Sequence, residues 1–354
     1  MSIETQNRGP LDRDVMGYED VPSPGGSPGQ QEGLGIKGTA VRHLRVQQKT
    51  WEADGIASIT LVDPDGAPLP QWLPGAHLSL HLPNGLTREY SLCSAPEDAR
   101  SWTVAVLRTS DSRGGSKLIH EQLPVGALIT VEGPRNNFEL DEAERYVLVA
   151  GGIGITPIIS MVRRLQAAGA DWSLLYTGRS RSTMAFLAEI AALPQERVTI
   201  HAMDEANGDH ADLAAAVGAL PSEALVYACG PEALMQAVAH AMTDESRLRI
   251  ERFKAPEILP QPDQSDTGFD VICESTGQRI PVAPDVSVLD ALNEAGVDVP
   301  SSCAEGICGT CETRVIKGDV EHRDFLLTPA ERTESKSMFV CVSRCRSREL
   351  ILDL

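Results

Sequence analysis

Residues 35–142 follow one pattern of hydrophobic and polar positions. Short apolar and β-branched runs recur at roughly ten-residue spacing, and turn sequences such as DPDG and PNG separate them. There are six such runs, the first beginning after Gly38 and the last being ALITVEGP. Short, evenly spaced strands with such turns are typical of antiparallel barrels. The pattern therefore predicts a β-barrel domain over residues 35–142.

At about Arg145 the pattern changes to continuous apolar runs that alternate with helical periodicity. RYVLVA, WSLLYTG, RVTIHAM and ALVYACG have the composition of buried strands. Helical patterns follow them, in PIISMVRRLQAAG, MAFLAEIAAL, ADLAAAVGAL and PEALMQAVAHAM. Alternating buried strands and helices predict a doubly wound α/β domain over residues 143–255.

The two ends of the chain differ from this body. Residues 1–34 are rich in Pro, Gly, Ser and Gln, which predicts a flexible tail, and the polar segment 256–267 predicts a linker. Residues 268–354 contain two strand patterns, the helical pattern SVLDALNEAG and a cysteine-rich loop. We therefore expect a multidomain chain whose last domain is of the α+β class.

Composition narrows the functions that the chain can have. A formal net charge of −19 opposes binding to nucleic acid or to an anionic membrane surface. The sequence has no apolar run of about 18 residues and no basic segment leading an apolar core at its start, so we expect a cytoplasmic protein. In such a chain, eight cysteines favour metal or redox chemistry over disulfides.

The loop SSCAEGICGTC places Cys303, Cys308 and Cys311 in the spacing C-x4-C-x2-C. This is the plant-type spacing of a [2Fe–2S] cluster, whose fourth thiolate comes from farther along the chain. Either Cys341 or Cys345 is available as that ligand. A zinc ribbon is one alternative, but zinc ribbons usually present two Cys pairs and the sequence has one C-x2-C. Structural cysteines that are close only by coincidence are the other alternative, which the tight spacing disfavours.

Two glycine-containing turns in the α/β segment are candidates for binding a dinucleotide. GGIGITP places Gly151, Gly152 and Gly154 between a strand and a helix, where backbone N–H groups can meet a pyrophosphate. Pro157, after Thr156, suits the first helical turn. The second turn ends a strand at Cys229, Gly230 and Pro231, and Arg179 and Arg181 follow another strand, where either could meet a 2′-phosphate.

A nicotinamide delivers two electrons as hydride, whereas a [2Fe–2S] cluster accepts one, so joining them calls for a flavin. The barrel sequence REYS offers Arg88 for a phosphate, Tyr90 for a ring face and Ser91 for a hydrogen bond near the reactive flavin nitrogen. The same tetrapeptide also reads as an ordinary half-buried strand. A candidate phosphate-binding turn follows at Arg113, Gly114, Gly115 and Ser116.

VPSSCAEGICGTCETRV, together with MFVCVSR, is similar to the ferredoxin domain of the phthalate dioxygenase reductase family, which includes vanillate demethylase reductases. The resemblance covers roughly residues 36–354, and the REYS and GGIGITP motifs resemble the ferredoxin–NADP reductase superfamily. It implies a β-grasp ferredoxin domain with Cys341 as the fourth ligand and Cys345 as an extra thiol.

The resemblance also implies roles for other residues. Phe253 is expected to stack on the flavin, and Leu107, Arg108 and Thr109 to line its ring. Cys229 is expected near the nicotinamide, so that Ser91, Thr156 and Cys229 position it against the flavin.

The resemblance favours NADH over NADPH, and the domain order favours FMN over FAD. We therefore expect a reductase that passes electrons from NADH through FMN and a [2Fe–2S] cluster to the Rieske-type terminal oxygenase of an aromatic dioxygenase or demethylase system. A cytochrome P450 or other haem protein is an alternative acceptor, which the sequence does not exclude. A redox sensor without turnover is a further alternative.

Overall fold

The computed structural model describes residues 40–109, 114–217, 220–221, 223–256 and 267–354. Residues Thr39–Leu354 form one compact unit. The predicted tail, most of the predicted linker and the candidate residue Arg113 lie outside the described residues. No helix within the described ranges is long and apolar enough to cross a membrane.

The first part of the chain forms a six-stranded antiparallel sheet with the strand order β4-β3-β6-β1-β2-β5. An isolated bridge between Leu92 and Val104 joins the end of β4 to β5, so the sheet curls around its apolar core. All six predicted runs form strands, and the antiparallel prediction is confirmed. The elements are β1 (Val41–Ala53), β2 (Ile56–Val62), β3 (Ala76–His81), β4 (Thr87–Ser91), β5 (Trp102–Leu107), α1 (Gly115–Glu121) and β6 (Leu128–Asn136).

The second part is a five-stranded parallel sheet with the order β11-β10-β7-β8-β9, as predicted for a doubly wound domain. Its elements are β7 (Arg145–Gly151), α2 (Ile155–Ala167), β8 (Asp171–Gly178), α3 (Leu187–Ile190), β9 (Val198–Ala202), α4 (Leu213–Val217), β10 (Ala224–Cys229), α5 (Glu232–Ala241) and β11 (Leu248–Glu251). The first strand in sequence, β7, lies between β8 and β10. The sheet therefore has a switch point at the carboxyl ends of β7 and β10, where such folds bind ligands.

The third part is an α+β segment in which the first and last strands, β12 and β18, pair in parallel at the centre of a mixed sheet. The strand order is β13-β12-β18-β14-β16, with β15 and β17 paired separately. The predicted helix forms after Ser287, whose side chain accepts a hydrogen bond from Asp290 N at its first turn. The elements are β12 (Phe269–Cys273), β13 (Arg279–Val282), α6 (Val288–Glu294), β14 (Glu312–Lys317), β15 (Val320–Glu321), α7 (Pro329–Glu334), β16 (Ser337–Phe339), β17 (Arg344–Cys345) and β18 (Glu349–Leu352).

Candidate functional site

The two glycine-containing turns predicted from the sequence meet at the switch point of the parallel sheet. A Cβ atom on Gly154 would lie 2.2 Å from the carbonyl oxygen of Cys229, and one on Gly230 would lie 2.9 Å from Gly151 Cα. Only glycine permits this approach, because the obstructing atoms belong to the backbone. Gly152 has a φ of 54°, which also favours glycine.

A cleft of about 1,290 Å³ opens over these turns and reaches the barrel. Nine of the candidate residues are in its walls or directly beside them. One wall comes from the α/β sheet and the other from Asp54, Ile56 and Leu107 of the barrel. The candidates that line it are Leu107, Gly151, Gly152, Gly154, Arg179, Gly230, Pro231 and Phe253, while Cys229 ends the strand beneath it. The cleft has the size and backbone donors that a nicotinamide dinucleotide requires.

Thr156 and Pro157 are buried in α2 behind this cleft. The Thr156 hydroxyl donates a hydrogen bond to the Ile153 carbonyl at 3.0 Å, which fixes the turn before the helix. Cys229 is fully buried at the end of β10, and burial, followed by the nearby Glu251 carboxyl, raises the pKa of its thiol. These three residues therefore shape the turns, and their side chains are buried in the protein instead of facing the cleft.

The two candidate arginines differ in their surroundings. Arg179 lines the cleft, whereas the Arg181 guanidinium is paired with Glu205, with Nε 2.7 Å from Oε1. On the barrel side, Arg108 is similarly paired with Glu121, with Nη2 2.6 Å from Oε1. Arg179 is thus the arginine of its loop that faces the cleft.

A second, smaller cavity lies between the barrel and the cysteine loop. Arg88, Tyr90 and Ser91 line it from β4, and Ser302 and Cys303 line it from the cysteine loop. Phe253 is in the wall of both the cavity and the cleft and is 44% exposed. Neighbouring sites therefore lie in one order in space: the cleft, the Phe253 ring, the flavin motif and the Cys303 ligand.

The candidate phosphate-binding turn lies against the flavin motif. A Cβ atom on Gly115 would lie 2.9 Å from Arg88 Cγ, and Gly114 adopts a φ of 103°. The backbone N–H of Thr109 donates to Ser116 Oγ at 3.4 Å. Arg88 and the described residues of this turn thus lie together, which is the arrangement that a phosphate site requires.

Sequence reasoning did not assign a role to several ionisable groups that line the cavity, among them His77, Glu89 and Glu251. Desolvation raises the pKa of both Glu89 and Glu251 to about 8. Ser91 Oγ donates to Glu251 Oε2 at 3.3 Å. Burial, followed by the charge of Arg135, lowers the pKa of His77 to about 3.

All three groups are on strands, where a charged residue normally faces solvent. For Glu89 and Glu251 the one sequence signal was their position in or beside a motif, whereas His77 had no such signal. Glu89 is the second residue of REYS, and Glu251 lies two residues before Phe253.

The four expected cluster ligands come together, although they are distant in sequence. The Cys303 thiol is in hydrogen-bonding contact with the thiols of Cys308 and Cys341, and Cys341 also contacts Cys311. Backbone N–H groups point at this ring of sulfurs, including Glu305 N at 3.2 Å from Cys303 Sγ. Donors of this kind stabilise the sulfurs of iron–sulfur clusters.

The arrangement separates the ligand alternatives that the sequence left open. Cys345 is directed elsewhere, with its sulfur 3.0 Å from Ser347 Oγ. Within the described ranges, no three His, Cys, Asp or Glu side chains are grouped to hold a single metal ion. Each iron of a [2Fe–2S] cluster takes two thiolates, and the neighbouring thiols Cys303–Cys308 and Cys311–Cys341 provide two such pairs.

Comparison with known proteins agrees with this geometry. Residues 271–346 match the 2Fe-2S iron–sulfur cluster binding domain, and residues 148–240 match the oxidoreductase NAD-binding domain. Phenoxybenzoate dioxygenase subunit beta of Ectopseudomonas oleovorans is 42% identical, over 88% of this chain and 97% of the relative. The solved structure of phthalate dioxygenase reductase is 36% identical, covers 89% of this chain and 98% of that protein, and superposes with a TM-score of 0.65.

The chain belongs to the phthalate dioxygenase reductase family. Vanillate O-demethylase oxidoreductase of Pseudomonas sp. (strain HR199 / DSM 7063) is 40% identical to this reductase. The match covers 85% of this reductase and 96% of the relative. An intact type IV self-sufficient cytochrome P450 monooxygenase is also similar, with 44% identity and a TM-score of 0.83. That match includes 89% of the reductase but only 41% of the larger P450 protein.

Proposed function

We propose that this chain carries electrons from NADH through FMN to a [2Fe–2S] cluster and on to a separate oxygenase. One observation carries the proposal: Phe253 is in the wall of both the dinucleotide cleft and the flavin cavity, and Cys303 is in the wall of that cavity. A nicotinamide, a flavin and the cluster can therefore occupy successive neighbouring sites. FMN supplies the exchange between two-electron and one-electron chemistry when it is bound.

The residues of the chain have separate tasks in this proposal. Gly151, Gly152 and Gly154 bind the pyrophosphate through backbone N–H groups, with Gly230 and Pro231 opposite them and Arg179 at the adenosine end. Thr156, Pro157 and Cys229 hold those turns in place, so that Thr156 and Cys229 position the nicotinamide from behind. Cys303, Cys308, Cys311 and Cys341 bind the cluster.

On the flavin side, the phosphate binds at Arg88 and at Gly114, Gly115 and Ser116, and Tyr90 and Phe253 cover the ring. Leu107, Arg108 and Thr109 line the ring, and Leu107 is also in the wall of the cleft. Because the Glu251 carboxyl has a pKa of about 8, it retains a proton near neutral pH. It can therefore hold that proton beside Ser91 Oγ, next to the flavin cavity.

The external acceptor is a Rieske-type terminal oxygenase in this proposal, and the location is cytoplasmic. Support comes from relatives named as components of dioxygenase, monooxygenase and O-demethylase systems. The similarity to part of a cytochrome P450 monooxygenase favours a haem acceptor as a second candidate. We further propose domain boundaries at 35–142, 143–255 and 268–354.

An anaerobic titration with NADH, and separately with NADPH, tests the path. We expect flavin bleaching followed by the electron paramagnetic resonance (EPR) signal of a reduced [2Fe–2S] centre, with NADH effective at the lower concentration. Reconstitution with a Rieske oxygenase and with a cytochrome P450 then compares the two acceptors. Bleaching without the cluster signal would contradict the path.

A further inference from the structure

We propose that Glu89 is a positioning residue that holds the cysteine loop, residues 301–311, against the flavin cavity. In this role Glu89 sets how fast electrons pass from the flavin to the cluster. The inference rests on the proposed function and assigns a task to a residue that lies inside the REYS motif but is not part of its Arg-x-Tyr-Ser pattern.

The Glu89 carboxyl connects the barrel to the cysteine loop directly. Its Oε1 accepts a hydrogen bond from Thr310 Oγ1 at 3.3 Å. The same carboxyl also lies close to the side chains of Cys308 and Ser302. One side chain of β4 therefore contacts three residues of the loop, at both ends of the C-x4-C segment.

The barrel fixes the Glu89 side chain from the opposite side. Arg135 Nη2 lies 3.2 Å from Glu89 Oε1, and the same guanidinium donates to Ser79 Oγ. The Glu89 side chain is 18% exposed and that of Arg135 is 17% exposed. A pair that is largely removed from water and anchored on two strands is held in one orientation, which suits a residue that must place another element.

A second contact shows how closely the loop approaches the barrel. Asn137 Nδ2 donates to the Cys308 carbonyl at 2.8 Å, and a Cβ atom on Gly309 would lie 2.9 Å from the same nitrogen. Contacts from Glu89 and Asn137 thus reach the loop on either side of Gly309. Electron transfer between two cofactors depends on the distance and orientation at which the protein holds them, so loss of either contact should affect it.

The experiment compares two rates in the full-length, cofactor-loaded protein after rapid mixing with NADH. Flavin reduction is followed by absorbance, and cluster reduction by freeze-quench EPR. We expect the ratio of cluster reduction to flavin reduction to fall about tenfold in Glu89→Ala. Glu89→Gln should recover part of the loss, because its amide oxygen can still accept from Thr310 and Arg135.

Glu132→Ala is the matched control. Glu132 also pairs with Arg135, at 3.2 Å, and its other ion-pair partner is His81 of the barrel. We expect Glu132→Ala to keep the wild-type ratio. We also expect Thr310→Val combined with Glu89→Ala to be no slower than the slower single variant, because both remove the same contact.

Hydrogen exchange provides a readout that does not depend on turnover. We expect faster backbone exchange over residues 301–311 in Glu89→Ala than in Glu132→Ala. A wild-type ratio with unchanged exchange in Glu89→Ala and Glu89→Gln would overturn the inference, as would an equal loss in Glu132→Ala. If the wild-type protein itself failed to reduce flavin or cluster, the proposed function would fail instead.

Discussion

At the scale of single residues, the four ligand cysteines and Cys345 allow a direct comparison of two neighbouring thiols. Cys341 contacts Cys303 and Cys311, whereas the Cys345 sulfur lies beside Ser347 Oγ. We expect Cys341→Ser to lose most of its [2Fe–2S] content, because one iron loses a thiolate. Cys345→Ser should keep wild-type iron and sulfide content. Equal loss in both variants would contradict the ligand assignment.

Glu251 makes stability depend on pH, in the direction opposite to an ordinary salt-bridged carboxylate. Its pKa of about 8 lies above the ordinary 4.5, so folding favours the protonated form. The contribution of the protonated Glu251 carboxyl to the free energy of unfolding is fully present below pH 4.5, and it is lost as the pH rises from 4.5 to 8. Replacement by glutamine removes the ionisation.

We therefore compare the free energy of unfolding of Glu251→Gln with that of wild type at two pH values. We expect the difference, variant minus wild type, to be about 2–4 kcal/mol larger at pH 8 than at pH 5. Denaturant unfolding at the two pH values measures this difference. A difference between variant and wild type that stayed the same at both pH values would mean that Glu251 is ionised in the folded protein across this range.

These residues also show what the sequence could and could not predict. The cluster ligands follow from spacing, because C-x4-C-x2-C is a local pattern with few chemical uses. Glu89 and Glu251 have no such pattern. Their importance arises from contacts between strands and loops that are distant in sequence, such as Glu89 and Thr310, which are 221 positions apart.

At the scale of secondary-structure elements, the barrel strands and four of the five parallel strands were predicted, whereas one helix is much shorter than predicted and one strand was missed. All six barrel runs and the four long parallel strands form as expected. In contrast, MAFLAEIAAL contains only a four-residue helix, since Phe186 adopts a φ of 62° immediately before it. Strand β11 was missed because its four half-buried residues have no continuous apolar pattern.

Arg344 connects several elements of the ferredoxin segment and gives a prediction at this scale. Its guanidinium donates to the carbonyls of Val286 at 2.8 Å, Ala283 at 3.0 Å and Thr267 at 3.3 Å. It also lies 5.2 Å from the Phe269 ring centroid. Three backbone acceptors on the approaches to β12 and α6 therefore depend on one buried side chain.

We expect Arg344→Met to lower the free energy of unfolding of this segment by about 3 kcal/mol, because the carbonyls lose a charged donor. Arg346→Met is the matched control, since Arg346 is 60% exposed and pairs with Asp319. Denaturant titration followed at the cluster absorbance compares them. Equal midpoints for the two variants would show that the Arg344 contacts contribute little.

At the scale of the whole molecule, charge separates the reaction within the chain from the reaction with its partner. Residues 256–354 carry 18 acidic against 9 basic side chains. The segment that binds the cluster therefore favours a partner with a basic docking surface. Electron transfer inside the chain crosses cavities that are already formed and should not depend on long-range attraction.

Salt should therefore affect the two reactions differently. The Debye length falls from about 10 Å at 0.1 M to about 3 Å at 1 M ionic strength, which screens attraction between exposed charges. Over this range we expect turnover with the oxygenase to fall about tenfold, while NADH-driven reduction of a small uncharged dye changes less than about twofold. Both are measured as steady-state NADH oxidation on the same preparation. Equal salt dependence would instead place the sensitive step inside the reductase, and salt-independent turnover with the oxygenase would rule out electrostatic docking by the acidic segment.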